Sequence, residues 1–134
     1  MNCLTAAAPS ILLVEDDEAV RRALQLLLLS NEYQVRAYPS SSGLAKDAGA
    51  LNCSCLIADL VLPPSNAIAL LKELRAASWT GKSILISGLL DPFWEAKAVA
   101  AGYDAVLHKP ISNSVLIRTV TELLHKNGAQ RPAG

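Results

Sequence analysis

The sequence has 134 residues, of which 51% are hydrophobic, and its formal net charge is zero. This length and apolar content suit one folded domain and exclude an intrinsically disordered chain. The zero net charge argues against a basic surface for nucleic acids or for membranes, and no apolar run reaches the ~20 residues that span a bilayer. An odd number of cysteines, Cys3, Cys53 and Cys55, argues against a disulfide framework, so we expect a reducing cytoplasm.

The first half of the chain alternates short aliphatic runs with longer helical patterns. In order, these predict a strand at 11–14, a helix at 19–30, a strand at 34–38, a short helix near 42–48 and a strand at 55–58. The third strand ends at Asp59. Asp17 and Glu18 suit the first turn of the first helix, with Asp17 as its N-cap.

The second half continues the same alternation. It predicts a helix at 66–77, a strand at 83–87, a helix at 92–101, a strand at 105–108 and a helix at 113–126. Pro92 favours the first turn of the fourth helix, and Gly102 favours its end. We therefore expect one domain over residues 10–126, preceded by an N-terminal extension (1–9) and followed by a flexible tail or the start of a linker (127–134).

Five strand-then-helix units predict a parallel sheet with helices on both faces. In such sheets the functional crevice lies beyond the carboxyl ends of the strands. The residues at these ends are Glu15, Asp16, Asp59, Ser87 and Lys109. Three carboxylates, one hydroxyl and one ammonium are therefore expected at a single edge, where the cation offsets the repulsion between the acids.

This group of residues favours phosphoryl chemistry. Clustered carboxylates without a nearby histidine or cysteine favour a hard ion, and Mg²⁺ fits best. The Lys109 ammonium and the Ser87 hydroxyl can contact phosphoryl oxygens. Asp59, which stands alone at the end of an apolar strand, is placed to attack phosphorus as a nucleophile.

Four motifs in this order resemble the receiver domain of two-component response regulators, over about residues 10–126. VEDD resembles the acidic pair after the first strand, with the pair at Glu15 and Asp16. Asp59 in LIADLVLPP matches the phospho-acceptor, and Ser87 in LISG matches the switch hydroxyl. Lys109, followed by proline, matches the lysine of the family's Lys-Pro motif.

The resemblance implies a flavodoxin-like fold with five parallel strands in the order 2-1-3-4-5. It implies that Asp16, Asp59 and the backbone carbonyl of Val61 bind Mg²⁺ directly, while Glu15 acts mainly through water. It further implies a cis peptide bond before Pro110.

The same resemblance implies a signalling switch rather than a metabolic enzyme, with only weak self-catalysed phosphorylation and hydrolysis. A histidine kinase or a histidine phosphotransfer protein would donate the phosphoryl group to Asp59. Lys109 would contact the phosphoryl oxygens and Ser87 would move towards them. The output would be a downstream protein partner or a homodimer, bound through the fourth helix, fifth strand and fifth helix. No contact with nucleic acid or membrane is expected from this chain.

The sequence departs from the family at Val106, where the family carries the Tyr or Phe of the usual switch. One alternative is therefore a receiver-like interaction module that works without phosphorylation. A second is a metal-dependent phosphatase, but those enzymes want a second acid two residues after the nucleophile, and Val61 stands there. Phe93 and Trp94, beside Leu89 and Leu90, predict either simple packing or an exposed apolar patch for a partner or dimer.

Two apolar positions bear on the lifetime of a phosphoryl group. In the family, the residues two beyond the acceptor and two beyond the switch hydroxyl influence attack by water. Here these residues are Val61 and Leu89, neither of which can orient a water molecule. We therefore expect a long-lived phosphoryl group.

Overall fold

The computed structural model describes residues 9–88 and 91–133. Five strands form its main sheet: β1 (Ser10–Val14), β2 (Gln34–Tyr38), β3 (Cys55–Asp59), β4 (Lys82–Ser87) and β5 (Ala105–His108). The helices are α1 (Glu18–Ser30), α2 (Ala48–Leu51), α3 (Ala67–Ala76), α4 (Pro92–Ala101) and α5 (Asn113–Ala133). Strands and helices alternate along the chain, so the predicted α/β class is confirmed.

The strands lie in the order β2-β1-β3-β4-β5, and every neighbouring pair is parallel. This confirms the expected 2-1-3-4-5 sheet. The register places Val14 beside Ala58, and Asp59 beside Ile86. The carboxyl ends of the central strands therefore meet at one edge.

Side chains that alternate along the strands build two separate cores, one on each face of the sheet. Leu12, Leu56 and Leu85 face one side, where they pack with buried residues of α2, α3 and α4: Ala50, Leu70, Leu71, Leu74 and Ala98. The strand residues between them face the other side, where they pack with buried residues of α1 and α5: Leu24, Leu28, Leu116 and Val120. The central strands are covered on both faces, which explains their continuous apolar sequences.

Four helices, α1 to α4, begin where a side-chain carbonyl or carboxylate caps free backbone N–H groups. Asp17 accepts a 2.9 Å hydrogen bond from the Val20 N–H, which confirms the predicted N-cap of α1. Asn66 caps α3 and Asp91 caps α4 in the same way. At the other end of α4, Gly102 adopts a left-handed conformation with φ 108°, which a residue with a Cβ would adopt only at a cost.

The segment between β2 and β3 differs from its prediction. Instead of one helix near 42–48, it contains a 3₁₀ turn at Leu44–Lys46 and then α2. The reason is Asp47, whose extended backbone ends the turn and whose carboxylate accepts from the Gly49 N–H to start the next helix.

Two further boundaries were not predicted. A two-residue antiparallel pair, Val61–Leu62 with Ser65–Asn66, separates β3 from α3, and the Pro63–Pro64 bond between its arms is cis. The last helix continues to Ala133 rather than ending at residue 126. Residues 1–8 of the expected N-terminal extension lie outside the described residues.

A buried tryptophan anchors the edge of the sheet opposite the acidic cluster. Trp79 is 4% exposed, and its indole N–H donates to the Cys53 carbonyl at 2.8 Å. The Arg75 guanidinium lies 4.9 Å from the indole centroid and donates to the carbonyls of Trp79 and Gly81 at 3.0 and 2.9 Å. These contacts join α3 to the loops that precede β3 and β4.

Cys53 and Cys55 are buried free thiols, and Cys3 lies outside the described residues. Burial raises the pKa of the Cys55 thiol to about 12, so it is protonated and unreactive near neutral pH. Within residues 9–88 and 91–133, no helix has the length and apolar character that crossing a membrane requires.

Neighbouring leucines of α1 provide a matched test of the core. Leu28 is fully buried, whereas Leu29 is 47% exposed. We expect Leu28→Ala to lower the free energy of unfolding by about 2–5 kcal/mol because it leaves a cavity. Leu29→Ala should change it by no more than about 0.5 kcal/mol. Urea denaturation followed by circular dichroism measures both, and equal losses would contradict this assignment of the core.

Candidate functional site

Glu15 is a fully buried carboxylate at the end of β1. Its Oε1 accepts a hydrogen bond from Lys109 Nζ at 3.0 Å, and its Oε2 accepts from the Asp17 N–H at 3.1 Å. Burial nevertheless raises the pKa of Glu15 above its ordinary value, because removal from water disfavours the charged form. A buried carboxylate of this kind is tolerated only where donors compensate it.

Asp59 ends β3 and is 7% exposed. Its Oδ2 accepts a 2.7 Å hydrogen bond from Lys109 Nζ, and its Oδ1 accepts from the Val61 N–H at 3.2 Å. The next residue is tied to the neighbouring strand, since the Leu60 N–H donates to the Ile86 carbonyl at 2.9 Å. Both carboxylate oxygens are therefore oriented, and each keeps a further lone pair for another ligand.

Lys109 is the cation shared by both carboxylates. Its backbone N–H donates to the Ser87 carbonyl at 2.9 Å, which fixes the residue directly after β5. Burial of the ammonium opposes its charge, but the hydrogen bonds to Asp59 and Glu15 outweigh this, and the pKa of Lys109 is raised. The Lys109–Pro110 peptide bond is cis, in agreement with the family resemblance.

Asp16 completes the acidic group from the solvent side. Oxygens of Glu15, Asp16 and Asp59, one from each, lie within 4.8 Å of one another. Glu15 and Asp59 are buried and Asp16 is exposed. A set of carboxylate oxygens with one solvent-facing member suits a hard divalent cation that keeps part of its water shell.

Ser87 is 1% exposed and ends β4, the strand beside the one that ends in Asp59. The structure thus brings together the ends of β1, β3, β4 and β5, as the sheet topology predicts. Val61 lies in the short antiparallel pair that follows Asp59, where it is 44% exposed. The role of its carbonyl as a ligand stays a prediction.

Val106 occupies the position where the family resemblance implies an aromatic residue. It lies in β5 opposite Leu85 and is half-buried against the core on the α3 and α4 face. Trp94 packs against the same core from α4. The aliphatic side chain at this strand position cannot provide the ring rotation of an aromatic switch.

Phe93 and Trp94 have different environments, and the coverage of this pair by a partner or a second copy stays a prediction. Their rings meet edge to face with centroids 5.2 Å apart. Trp94 is half-buried against the core, whereas Phe93 is 58% exposed. The Lys97 ammonium lies 5.2 Å from the Phe93 ring. Leu89 and Leu90, which the predicted patch included, lie outside the described residues.

Arg21 is a site residue that sequence reasoning missed. Its guanidinium Nη1 donates to the backbone carbonyl of Glu15 at 2.9 Å, so it anchors the loop that carries the acidic pair. Arg21 is half-buried and its neighbour Arg22 is exposed. Nothing in the sequence distinguishes the anchoring Arg21 from the exposed Arg22, because both stand side by side near the start of an amphipathic helix.

Comparison with known proteins gives a consistent result. The family model of the response regulator receiver domain matches residues 11–121. The response regulator protein TmoT of Ectopseudomonas mendocina is 31% identical over 125 residues, which are 91% of this chain and 57% of that protein. The transcriptional regulatory protein FixJ of Azorhizobium caulinodans is 28% identical over 117 residues, which are 87% of this chain and 56% of that protein. The chain therefore spans little more than half the length of these relatives.

Solved structures show the same fold. A CheY-like receiver domain protein from Methanospirillum hungatei superposes with a TM-score of 0.82 at 20% identity, covering 92% of this chain and 98% of that chain. The receiver domain of a putative Luxo repressor protein from Vibrio parahaemolyticus gives a TM-score of 0.84 at 17% identity, covering 94% and 97%. With the family match over most of its length, and with the three carboxylates, the hydroxyl and the lysine at the expected strand ends, this chain belongs to the response regulator receiver domain family.

Proposed function

We propose that this chain is a signalling switch that accepts a phosphoryl group on Asp59 from a histidine kinase or a histidine phosphotransfer protein. The observation that carries this proposal is the Asp59 carboxylate, which lies at a strand end with Lys109 Nζ 2.7 Å from its Oδ2. An Asp59 oxygen forms a bond to phosphorus while the bond from phosphorus to the donor imidazole nitrogen breaks. The imidazole leaves with the electron pair.

The neighbouring residues prepare Asp59 for this transfer. The Val61 N–H orients one carboxylate oxygen, and Lys109 holds the other while it also neutralises Glu15. After transfer, Lys109 contacts the phosphoryl oxygens as a compact positive charge. Ser87, at the adjacent strand end, moves to donate its hydroxyl proton to one of them.

The donor set fits Mg²⁺, because carboxylate oxygens within 4.8 Å of one another are the hard ligands this ion prefers. Asp16, Asp59 and the Val61 carbonyl would hold the ion, and Glu15, already bonded to Lys109, would act through water. When bound, the ion supplies charge neutralisation for the acceptor and the phosphoryl oxygens. The Asp16 carboxylate is the solvent-exposed member of this donor set.

Phosphorylation would replace the single negative charge of the Asp59 carboxylate with the roughly two negative charges of an aspartyl phosphate, a net change of about −1. We propose that the change is transmitted to a protein partner or a second copy of the chain through α4, β5 and α5. Because Val106 replaces the family aromatic, the readout would depend on Ser87 and on the loop before α4 rather than on ring rotation. The catalytic power is limited to the chain's own phosphorylation and hydrolysis.

A receiver-like module that binds its partner without phosphorylation is the second candidate. The observations that favour it are the valine at position 106 and the 58% exposed ring of Phe93. The two candidates differ in one respect: in the second, partner binding does not depend on whether Asp59 is ionisable.

Phosphorylation of Asp59 is the first prediction for the site. Incubation with acetyl phosphate and Mg²⁺ should add one phosphoryl group to the wild-type chain and none to Asp59→Asn, because asparagine lacks the nucleophilic carboxylate. Asp17→Asn is the control, since it keeps its cap on α1 and should be phosphorylated normally. Intact mass spectrometry measures all three. No gain in the wild type, although Mg²⁺ raises its melting temperature, would favour the phosphorylation-independent module.

The role of Asp16 in metal binding gives a second prediction. Mg²⁺ should stabilise the wild-type chain by mass action, and Asp16→Asn should lose most of that gain. Without divalent cations and at low salt, the same substitution should raise the free energy of unfolding by about 0.5 kcal/mol, because one ammonium then faces two carboxylates rather than three. Asp17→Asn removes a neighbouring charge and should keep the full response to Mg²⁺. Thermal unfolding followed by circular dichroism measures the stabilisation by Mg²⁺. The same stabilisation in Asp16→Asn as in the wild type would refute the assignment of Asp16 as a ligand.

The apolar residues at positions 61 and 89 give a third prediction, which assumes that Asp59 is phosphorylated. The phosphoryl group should be lost slowly, and the pair Val61→Asn with Leu89→Asn should shorten its half-life because amide side chains can orient attacking water. Val99→Asn, at an exposed valine on α4, is the control and should leave the half-life unchanged. Intact mass spectrometry at successive times measures the half-life from the decline of the phosphorylated species. Rapid loss in the wild type that the pair leaves unaltered would contradict the argument.

A further inference from the structure

A groove of about 430 Å³ runs between α3 and α4, away from the acidic cluster. One wall comes from α3 and the other from α4, and most of the lining is apolar. The residues that define it are Ile68, Lys72, Phe93, Ala96, Lys97 and Ala100. We call this the α3–α4 groove.

Helix α4 carries many more apolar side chains than the core buries. Its sequence is PFWEAKAVAA, yet Ala98 is the only fully buried residue of this helix. Phe93, which lines the groove, is 58% exposed, and Val99, which lies outside the lining of the groove, is 61% exposed. A helix that is apolar around most of its circumference but buries one narrow stripe is typical of a helix that a partner covers.

The groove lies on the flank of α4 that faces away from β5. Glu95, on the other flank, has its carboxylate 3.9 Å from the His108 imidazole at the end of β5. Phe93, Ala96 and Ala100 instead point towards α3. The groove is therefore separate from the α4, β5 and α5 surface already assigned to the output.

Two lysines give the groove a positive rim. Lys72 on α3 and Lys97 on α4 are both exposed, and within the described part of the chain neither has a carboxylate within 4.0 Å. The acids of the same helices point elsewhere: Glu95 faces His108, and Glu73 lines a hollow with Lys46 on the opposite flank of α3. The apolar floor is thus bordered by unneutralised positive charge.

We propose that the α3–α4 groove docks an acidic amphipathic segment of a partner protein. One bulky apolar side chain of the segment fills the floor beside Phe93, and carboxylates on either side of it pair with Lys72 and Lys97. The charge favours this occupant over a basic segment, which both lysines repel. The proposal does not depend on phosphorylation of Asp59.

The test uses the full chain and a fluorescein-labelled synthetic peptide in which glutamates surround a single tryptophan. Fluorescence anisotropy should show saturable binding that weakens as salt is added, because the rim charges are exposed. The double reversal K72E/K97E should raise the dissociation constant about tenfold or more, since it replaces two attractions with two repulsions. Phe93→Ala should weaken binding to a similar extent, about tenfold, through lost apolar contact.

Two controls make the result specific to the groove. Lys46→Glu reverses the charge of an exposed lysine in the 3₁₀ turn, which lies beside the other flank of α3, and should leave the affinity unchanged. A peptide with lysines in place of the glutamates should bind at least about tenfold more weakly. Circular dichroism verifies that each variant is folded.

Three outcomes would overturn the proposal. The first is no binding of the acidic peptide, and the second is an equal loss in Lys46→Glu and K72E/K97E. The third is a dimer in sedimentation velocity that Phe93→Ala dissociates, which would identify a second copy of the chain as the occupant.

Discussion

A single ammonium group bridges the two buried carboxylates at the carboxyl ends of β1 and β3. Lys109 Nζ lies 3.0 Å from Glu15 and 2.7 Å from Asp59, two carboxylates that are almost fully buried. Two buried like charges in this proximity would repel each other strongly without a cation between them. The acidic cluster therefore depends on a lysine that comes from the far end of the sequence, where the backbone after β5 is fixed to the Ser87 carbonyl.

The parallel sheet explains why such distant residues meet. With all five strands in one direction, every strand delivers its last residue to the same edge, and the alternation of side chains leaves both faces free for helices. The reactive residues thus lie at the carboxyl ends of the strands, and a stabilising cluster lies at the opposite ends. Glu15, Asp59 and Lys109 lie at one edge, whereas the indole of Trp79, under Arg75, stabilises the other.

Regular patterns made most of the fold predictable from the sequence. Aliphatic runs located all five strands, and Asp17 and Gly102 marked helix ends because their chemistry acts locally. The segment around Asp47 was missed because one side chain both ends a turn and starts a helix. The site residues at the strand ends followed from topology. Arg21 did not, because its bond to the Glu15 carbonyl depends on the direction of one side chain rather than on spacing.

The chain has two tryptophans, and the fold places them in contrasting surroundings. Trp79 is enclosed, with its N–H bonded to the Cys53 carbonyl, at the edge remote from Asp59. Trp94 is half-buried on α4, with its ring against Phe93 at the α3–α4 groove. Intrinsic fluorescence therefore combines a constant contribution from Trp79 with one from Trp94 that responds to the α4 surface. A chain with phenylalanine in place of Trp79 loses the hydrogen bond to the Cys53 carbonyl but keeps Trp94 as its single indole, an optical reporter of that surface that needs no attached dye.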